Sequence, residues 1–189
     1  MKLVEQVKII AKKFADLPVS KDYLDRVEEG GLTRDENVLS HFCVYFAAYD
    51  PGSKEVFIGH HKKSGLWLFN GGHVDKGEAL EETLFREMGE EWGVQIPLQN
   101  LGEPRLITVA NIINSTNNPR MKCIKHYDIW YFVPVSKASF APEKERLDTE
   151  FSEIGWKNIK EARALVTDPS TIIAITKFEK IFNDSNEEN

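Results

Sequence analysis

Cysteine is scarce in this chain. Cys43 and Cys123 are the only two in 189 residues, and neither belongs to a C-x-x-C pair, so no dithiol redox motif is present. The two could pair only if the fold brought them together. Both sit in apolar surroundings, and buried free thiols are the expectation. Long apolar runs are also missing. None approaches the roughly 20 residues that cross a bilayer, so no membrane partner is expected. The opening stretch "MKLVEQVKIIAKKFADLP" is charged throughout, which makes it a poor secretory signal. The cytoplasm is the expected compartment. Positive charge is in deficit as well: 24 Lys and Arg face 30 Asp and Glu, for a net charge of -6 and a pI near 5.5. That speaks against nucleic acid as a partner. It leaves a small anionic ligand open, because a bound divalent cation can invert the local field.

What is present is the composition of a globular domain, 41% hydrophobic and 29% charged, with no internal repeat. Leu3, Val7, Ile10 and Phe14 recur at helical spacing over residues 2–15. A second helix is expected from Ser20, read as its N-cap, to the stop at Gly30-Gly31. The pattern then changes to strands at 37–49, 55–61 and 66–69, with "DPGS" as the turn between the first two. A helix over 79–92 follows, closed by Gly93. Strands at 104–112 and 127–135 flank a polar loop or wide hairpin, "INSTNNPRMKCIKH". Residues 141–150 read as a charged loop, 153–159 as the last strand. Asp168 and Ser170 then offer N-cap signals around Pro169 for a final helix, and the end of the chain is a frayed tail. Strands grouped between helices predict an α+β fold.

The helix over 79–92 raises the chemical question. Leu80, Leu84, Met88 and Trp92, with Phe85 beside Met88, form its expected buried stripe. Glu87, Glu90 and Glu91 fall three and four residues apart, where like charges repel. They also crowd toward the helix C-terminus, where the macrodipole disfavours each anion by about 0.3–1 kcal/mol. Gly89 among them costs about 1 kcal/mol against alanine. Just upstream, "NGGH" is a loop whose glycines let backbone carbonyls approach a ligand. A solvated acidic face is the ordinary reading of such a run. A hard divalent cation answers all three oddities, since Mg²⁺ takes a few carboxylates plus substrate phosphate.

The stretch "GHVDKGEALEETLFREMGEEWGV" resembles the Nudix box, G-x5-E-x7-R-E-U-x-E-E-x-G-U, with U a bulky apolar residue. Gly72, Glu78, Arg86-Glu87, Met88, Glu90-Glu91, Gly93 and Val94 fill every fixed position. "SHFCVYFA…VFIGHHKKSGLWLFNGGH" and "EIGWKNIKEARAL" are similar to flanking segments of Nudix domains. The resemblance implies an α/β/α sandwich with a mixed β-sheet over residues 37–183. An N-terminal helical extension (1–36) precedes it and a disordered tail (184–189) follows. It implies a Mg²⁺- or Mn²⁺-dependent hydrolase that cleaves the pyrophosphate bond of a nucleoside diphosphate linked to another group.

Carried over residue by residue, Glu87, Glu90, Glu91 and the Gly71 carbonyl are the implied metal ligands. Arg86 and Glu87, with Glu90, are the implied catalytic set, and Glu78 and Gly72 support them. The general base is Glu87 or a carboxylate of the later loop, Glu143, Glu145 or Glu150. Candidates for contact with substrate are His61 and Lys63, from the run His60-His61-Lys62-Lys63, and Trp67, Phe69 and His73. His41 and His126, at strand starts, are expected to be structural. Two departures stand out: Asp75 where glutamate is frequent, and Asn70 in place of proline before the glycine pair. A small nucleotide-type molecule is the expected partner, with a homodimer as a further expectation. A nucleotide-binding sensor without turnover is the alternative. An isomerase of the isopentenyl diphosphate type shares the fold, but needs a cysteine in the loop where this chain has "FNGGH".

Overall fold

A computed structural model describes residues 1–112 and 123–184. Helices α1 (Leu3–Lys13) and α2 (Val19–Glu29) come first. Next are β1 (Ser40–Asp50), β2 (Glu55–His61), β3 (Trp67–Leu68), β4 (Gly71–His73), α3 (Leu80–Glu91), α4 (Leu98–Leu101) and β5 (Leu106–Asn111). The chain continues with β6 (Lys125–Pro134), α5 (Lys144–Glu150), β7 (Phe151–Asn158), α6 (Ile159–Leu165) and α7 (Pro169–Asp184). Most of the polar loop before Cys123, and the tail beyond Asp184, lie outside the described residues. The rest sorts into two compact units. One is drawn from residues 1–45, 71–87, 102–112 and 123–131, the other from residues 46–70, 88–101 and 132–184.

In the first unit, β4 pairs antiparallel with β1, setting Cys43 opposite His73, Val44 opposite Gly72 and Tyr45 opposite Gly71. Strand β5 pairs antiparallel with β6, from Leu106 opposite Trp130 to Asn111 opposite Lys125. Strand β6 neighbours β1, and their contacts advance together: Ile124 N–H donates to Leu39 O, Phe42 packs on Tyr127, and Tyr45 stacks on Trp130 at 4.1 Å. That is parallel pairing, so the sheet is mixed. Strand β1 is buried at most positions, as its near-continuous apolar run requires of a strand covered on both faces. Helices α1 and α2 bury Val7, Ile10, Ala11, Tyr23 and Val27. The Tyr23 hydroxyl lies 2.6 Å from Asp128 O. The Arg26 guanidinium, 1% exposed, donates to the carbonyls of Gly30, Gly31 and Ser40. It thus joins the end of α2 to the start of β1.

In the second unit, β2 pairs antiparallel with the end of β1, with β3 and with β7. Phe178 of α7 stacks on Phe132 at 4.1 Å and meets Phe69 and Tyr49. Asp168 caps α7 through the Thr171 N–H at 2.7 Å. Asn158 and Glu161 form a reciprocal capping box on α6, which satisfies two otherwise orphaned donors.

Four local expectations change. Ser20 does not cap α2, which starts one residue earlier; its hydroxyl donates to Ala11 O at 2.7 Å. Residues 144–150 are helical, not loop, because Leu147 is buried at 6% and a Lys144–Asp148 pair, four residues apart, braces the turn. Gly71–His73 forms a strand, a role that propensity disfavours for glycine but that backbone pairing with β1 supplies. Cys123 is only half-buried, while Cys43 is buried, and both thiols are free.

Candidate active site

Helix α3 contributes Leu80–Glu87 to the first unit and Met88–Glu91 to the second. Its start is held by two side chains: Glu82 accepts from Ala79 N–H at 2.7 Å, and Gln6 of α1 accepts from Leu80 N–H at 3.0 Å. Leu80, Leu84 and Met88 are each 1% exposed. Phe85, expected beside them, is 48% exposed; at about 100° per residue it points well away from Leu84. The acids divide in the same way. Glu87 and Glu91, one turn apart, are buried at 9% and 8% exposure, whereas Glu90 is exposed.

In the first unit the loop and the helix are locked by Arg86. Its Nε and Nη2 grip Glu78 at 2.7 and 2.9 Å, Nη1 donates to Glu87 at 2.7 Å, and Nη2 also reaches His73 O at 2.9 Å. The Thr83 hydroxyl and the Asp75 N–H complete the shell of Glu78. Arg86 is the main reason the Glu78 carboxyl is held down at about 2. The same pairing pushes the Arg86 pKa up. Asp75 takes Arg34 at 2.9 Å and lies 3.6 Å from Arg86, so the shorter acid still joins the cationic frame.

Gly72 faces Glu87 directly. A Cβ there would sit 2.5 Å from Glu87 Oε2 and closer still to Oε1. The carboxylate, pinned by Arg86, has little room to yield. A Cβ at Gly71 would overlap Val44 O and lie 2.9 Å from Tyr45 Cδ1. Glycine is therefore required at both positions so that backbone can lie against β1 and the acid.

In the second unit, Asn70 Nδ2 donates to Glu91 Oε2 at 2.5 Å, and Asn70 O accepts from Phe46 N–H. Asn70 is 1% exposed and its Oδ1 is buried without a hydrogen-bond partner. Asn70, which stands where proline is frequent, thus makes a contact of its own, and the lone amide inside "LWLFNGG" is the signal of it in the sequence. Past the helix, Gly93 (φ +68°) is packed against Glu143: an added Cβ would lie 2.6 Å from Oε1. Glu143 N–H donates to Trp92 O at 2.7 Å, and Arg146 holds its carboxylate at 2.7 Å.

Glu150 is elsewhere in the second unit, taking Lys63 at 2.7 Å and His61 at 3.4 Å. Burial lowers the His61 pKa. Glu145 is exposed on α5, Trp67 is half-buried with Lys157 over its ring, and Phe69 is 2% exposed in the core against Phe178. His73 packs with His41 and His126. Desolvation lowers the pKa of His41, and that of His126 to about 3.

Gly89 makes no close approach: an added Cβ would find Gln95 Nε2 at 3.6 Å, an ordinary contact. Gly89→Ala is therefore expected to stabilise the chain by about 1 kcal/mol through helix propensity, read as a higher urea midpoint at unchanged slope. A lower midpoint would show that this glycine serves a contact.

No helix among the described residues is long and apolar enough to cross a membrane. A family model for the NUDIX domain matches residues 39–174, beginning after the two N-terminal helices. Among solved structures, the E. coli dihydroneopterin triphosphate pyrophosphohydrolase is similar over 72% of this chain and 93% of its own, at 16% identity and TM-score 0.57. A MutT NUDIX hydrolase from Burkholderia pseudomallei is similar over 72% and 96%, at 21% identity and TM-score 0.53. The MutT protein from Methanosarcina mazei Go1 is similar over 78% and 96%, at 20% identity and TM-score 0.51. At these identities the structures speak for the fold, and the family match, over most of the chain, speaks for descent: the chain belongs to the Nudix hydrolase family.

Proposed function

We propose that this chain hydrolyses the pyrophosphate bond of a nucleoside diphosphate joined to a second group, with Mg²⁺ or Mn²⁺ held by Glu87 and Glu91. The observation that carries the reading is the approach of Gly72 to the Glu87 carboxylate, a cradle that any Cβ would fill. The β4 backbone and a buried carboxylate brought this close offer oxygens of the type a hard cation takes. Within the second unit, Asn70 holds Glu91 through Nδ2 and keeps an unpartnered Oδ1, an oxygen of the type a hard cation takes. Glu90, exposed, is assigned a supporting role, and the Gly71 carbonyl is the backbone ligand in this reading.

A divalent ion so held neutralises phosphate charge and lowers the pKa of bound water. The chain's own residues do the rest. Arg86 fixes the Glu87 carboxylate through Nη1 and keeps Glu78 ionised behind it. Water adds to phosphorus as the bridging oxygen bond breaks, and the leaving phosphate departs with that electron pair. The water's proton passes to a carboxylate. Glu143, set at Gly93 where α3 ends, is the loop acid we assign to this step. Glu143→Gln is then expected to lower kcat about 100-fold with little change in KM, and Glu145→Gln to leave both near wild type. Unchanged kcat in Glu143→Gln would move the role to Glu87. The two free thiols support a reducing compartment such as the cytoplasm.

The deciding experiment is a turnover screen with Mg²⁺ and Mn²⁺ over nucleoside triphosphates, dinucleoside polyphosphates, ADP-ribose, NADH and nucleotide sugars. Metal-dependent release of a nucleoside monophosphate or of pyrophosphate is expected. Tight binding of one nucleotide with no turnover of any would establish the sensor reading instead.

A further inference from the structure

Beneath the glycine strand, three histidines and a cysteine from distant parts of the sequence converge. His41 comes from β1, His73 from β4, His126 from β6 and Cys123 from just before β6. One ligand atom from each of the four lies within 4.8 Å of all the others. His73 Nε2 is 3.4 Å from His126 Nε2, and Cys123 Sγ is 4.0 Å from His73 Nε2. A tetrahedral zinc ion, with bonds of about 2.0–2.1 Å to nitrogen and about 2.3 Å to sulfur, sets its ligand atoms roughly 3.3–3.7 Å apart. The cluster, with separations of up to 4.8 Å, is within about 1.5 Å of that size as it stands.

His41 supplies the independent observation. It is 0% exposed, and its Nδ1 is 2.8 Å from Asn37 O. The carbonyl can only accept, so Nδ1 carries the proton and Nε2 keeps a bare lone pair. That Nε2 is buried with no hydrogen-bond partner. Leaving such an atom unsatisfied is costly, and an ion is one of the few things that relieves it. A backbone carbonyl fixing the far nitrogen is the arrangement that orients histidines bound to metal. An apolar reading of the cluster, as ring packing alone, leaves this atom unexplained.

We propose that His41, His73, Cys123 and His126 bind one Zn²⁺ ion as a closed structural site. Three imidazoles and a thiolate select zinc over Mg²⁺ or Ca²⁺, which take oxygen. Binding releases the Cys123 thiol proton to solvent, as thiolate ligation requires. Four protein ligands leave no open position, so the site holds structure. It joins β1, β4 and β6, and it fixes the strand that carries Gly71 and Gly72. The inference does not depend on the chain being a pyrophosphohydrolase.

A second group, Cys43, His126 and Asp128, shares His126, and the test separates the two. Full-length protein without an affinity tag is analysed for metal, then reloaded with Co²⁺ as a spectroscopic probe. Expected are one zinc per chain and, with cobalt, intense tetrahedral visible bands plus a thiolate charge-transfer band. Cys123→Ser abolishes the charge-transfer band, and His126→Gln loses the bound metal. Cys43→Ser and the pair Glu87→Gln/Glu91→Gln keep both. Cys123 is half-buried, so its serine variant folds even where His126→Gln does not. Absence of zinc and of any cobalt spectrum overturns the site. So does a charge-transfer band that survives Cys123→Ser, or zinc that departs with the glutamate pair.

Discussion

Glu91→Gln is expected to lower metal-dependent turnover about 1,000-fold while the fold is retained, and Glu87→Gln to do the same. The change keeps size and shape and removes one negative charge from a buried position on α3. Glu91 is 8% exposed and Glu87 9%. Two acids one turn apart at the C-terminal end of a helix repel each other and oppose the macrodipole. A bound cation turns that repulsion into attraction, and its loss removes stabilisation of the phosphate charge that builds up in the transition state. The same acids predict a thermal effect. Mg²⁺ at about 100 times its Kd should stabilise the wild type by about 2.7 kcal/mol, a rise in Tm of roughly 5–10 °C for a chain of this size. In Glu87→Gln/Glu91→Gln the rise should nearly vanish. Equal Mg²⁺ shifts in the two proteins would return this face of α3 to an ordinary solvated surface.

The helix and its acids were legible because their signals are local. A 3.6-residue apolar period, a closing Gly93 and charges spaced by turns can all be read along one stretch. The strands at 40–50, 55–61 and 125–134 were legible for the same reason, as apolar runs bounded by turn residues. The contacts that were not legible are made by backbone or by residues far apart in sequence. Gly71–His73 is a strand only because β1 offers it a partner. Residues 144–150 are helical because one side chain, Leu147, finds a core. Asn70 looks like a weakened loop until its amide is seen on Glu91. The histidine cluster joins positions 41, 73, 123 and 126. Only the Cys123–His126 spacing, a C-x-x-H pair, hinted at it, and that pair alone is weak. His61 and Lys63, candidates for contact with substrate, lie against Glu150, a pairing between residues nearly ninety positions apart that no local pattern announces.

Arg86→Ala carries the second large effect, on stability as much as on rate. One guanidinium holds two carboxylates and the His73 carbonyl. Removing it leaves Glu78 and Glu87 as partly buried charges without their guanidinium, a loss of about 2–3 kcal/mol once solvent screening is allowed for. Turnover should fall as Glu87 loses its orientation. The pH dependence identifies the cause. Glu78 titrates near 2 in the folded chain and near 4.5 when free. A depressed carboxyl stabilises the fold above its unfolded pKa, and that contribution is lost as pH falls from about 4.5 toward 2. With solvent access to the pair taken into account, the loss is about 2 kcal/mol. Urea unfolding at a series of pH values should show it in the wild type. Arg86→Ala and Glu78→Gln should both be less stable at pH 6 and show a flatter decline in that window. If the acid decline of Arg86→Ala parallels the wild type, Glu78 draws its low pKa from Thr83 and the Asp75 amide, and the guanidinium serves Glu87 alone.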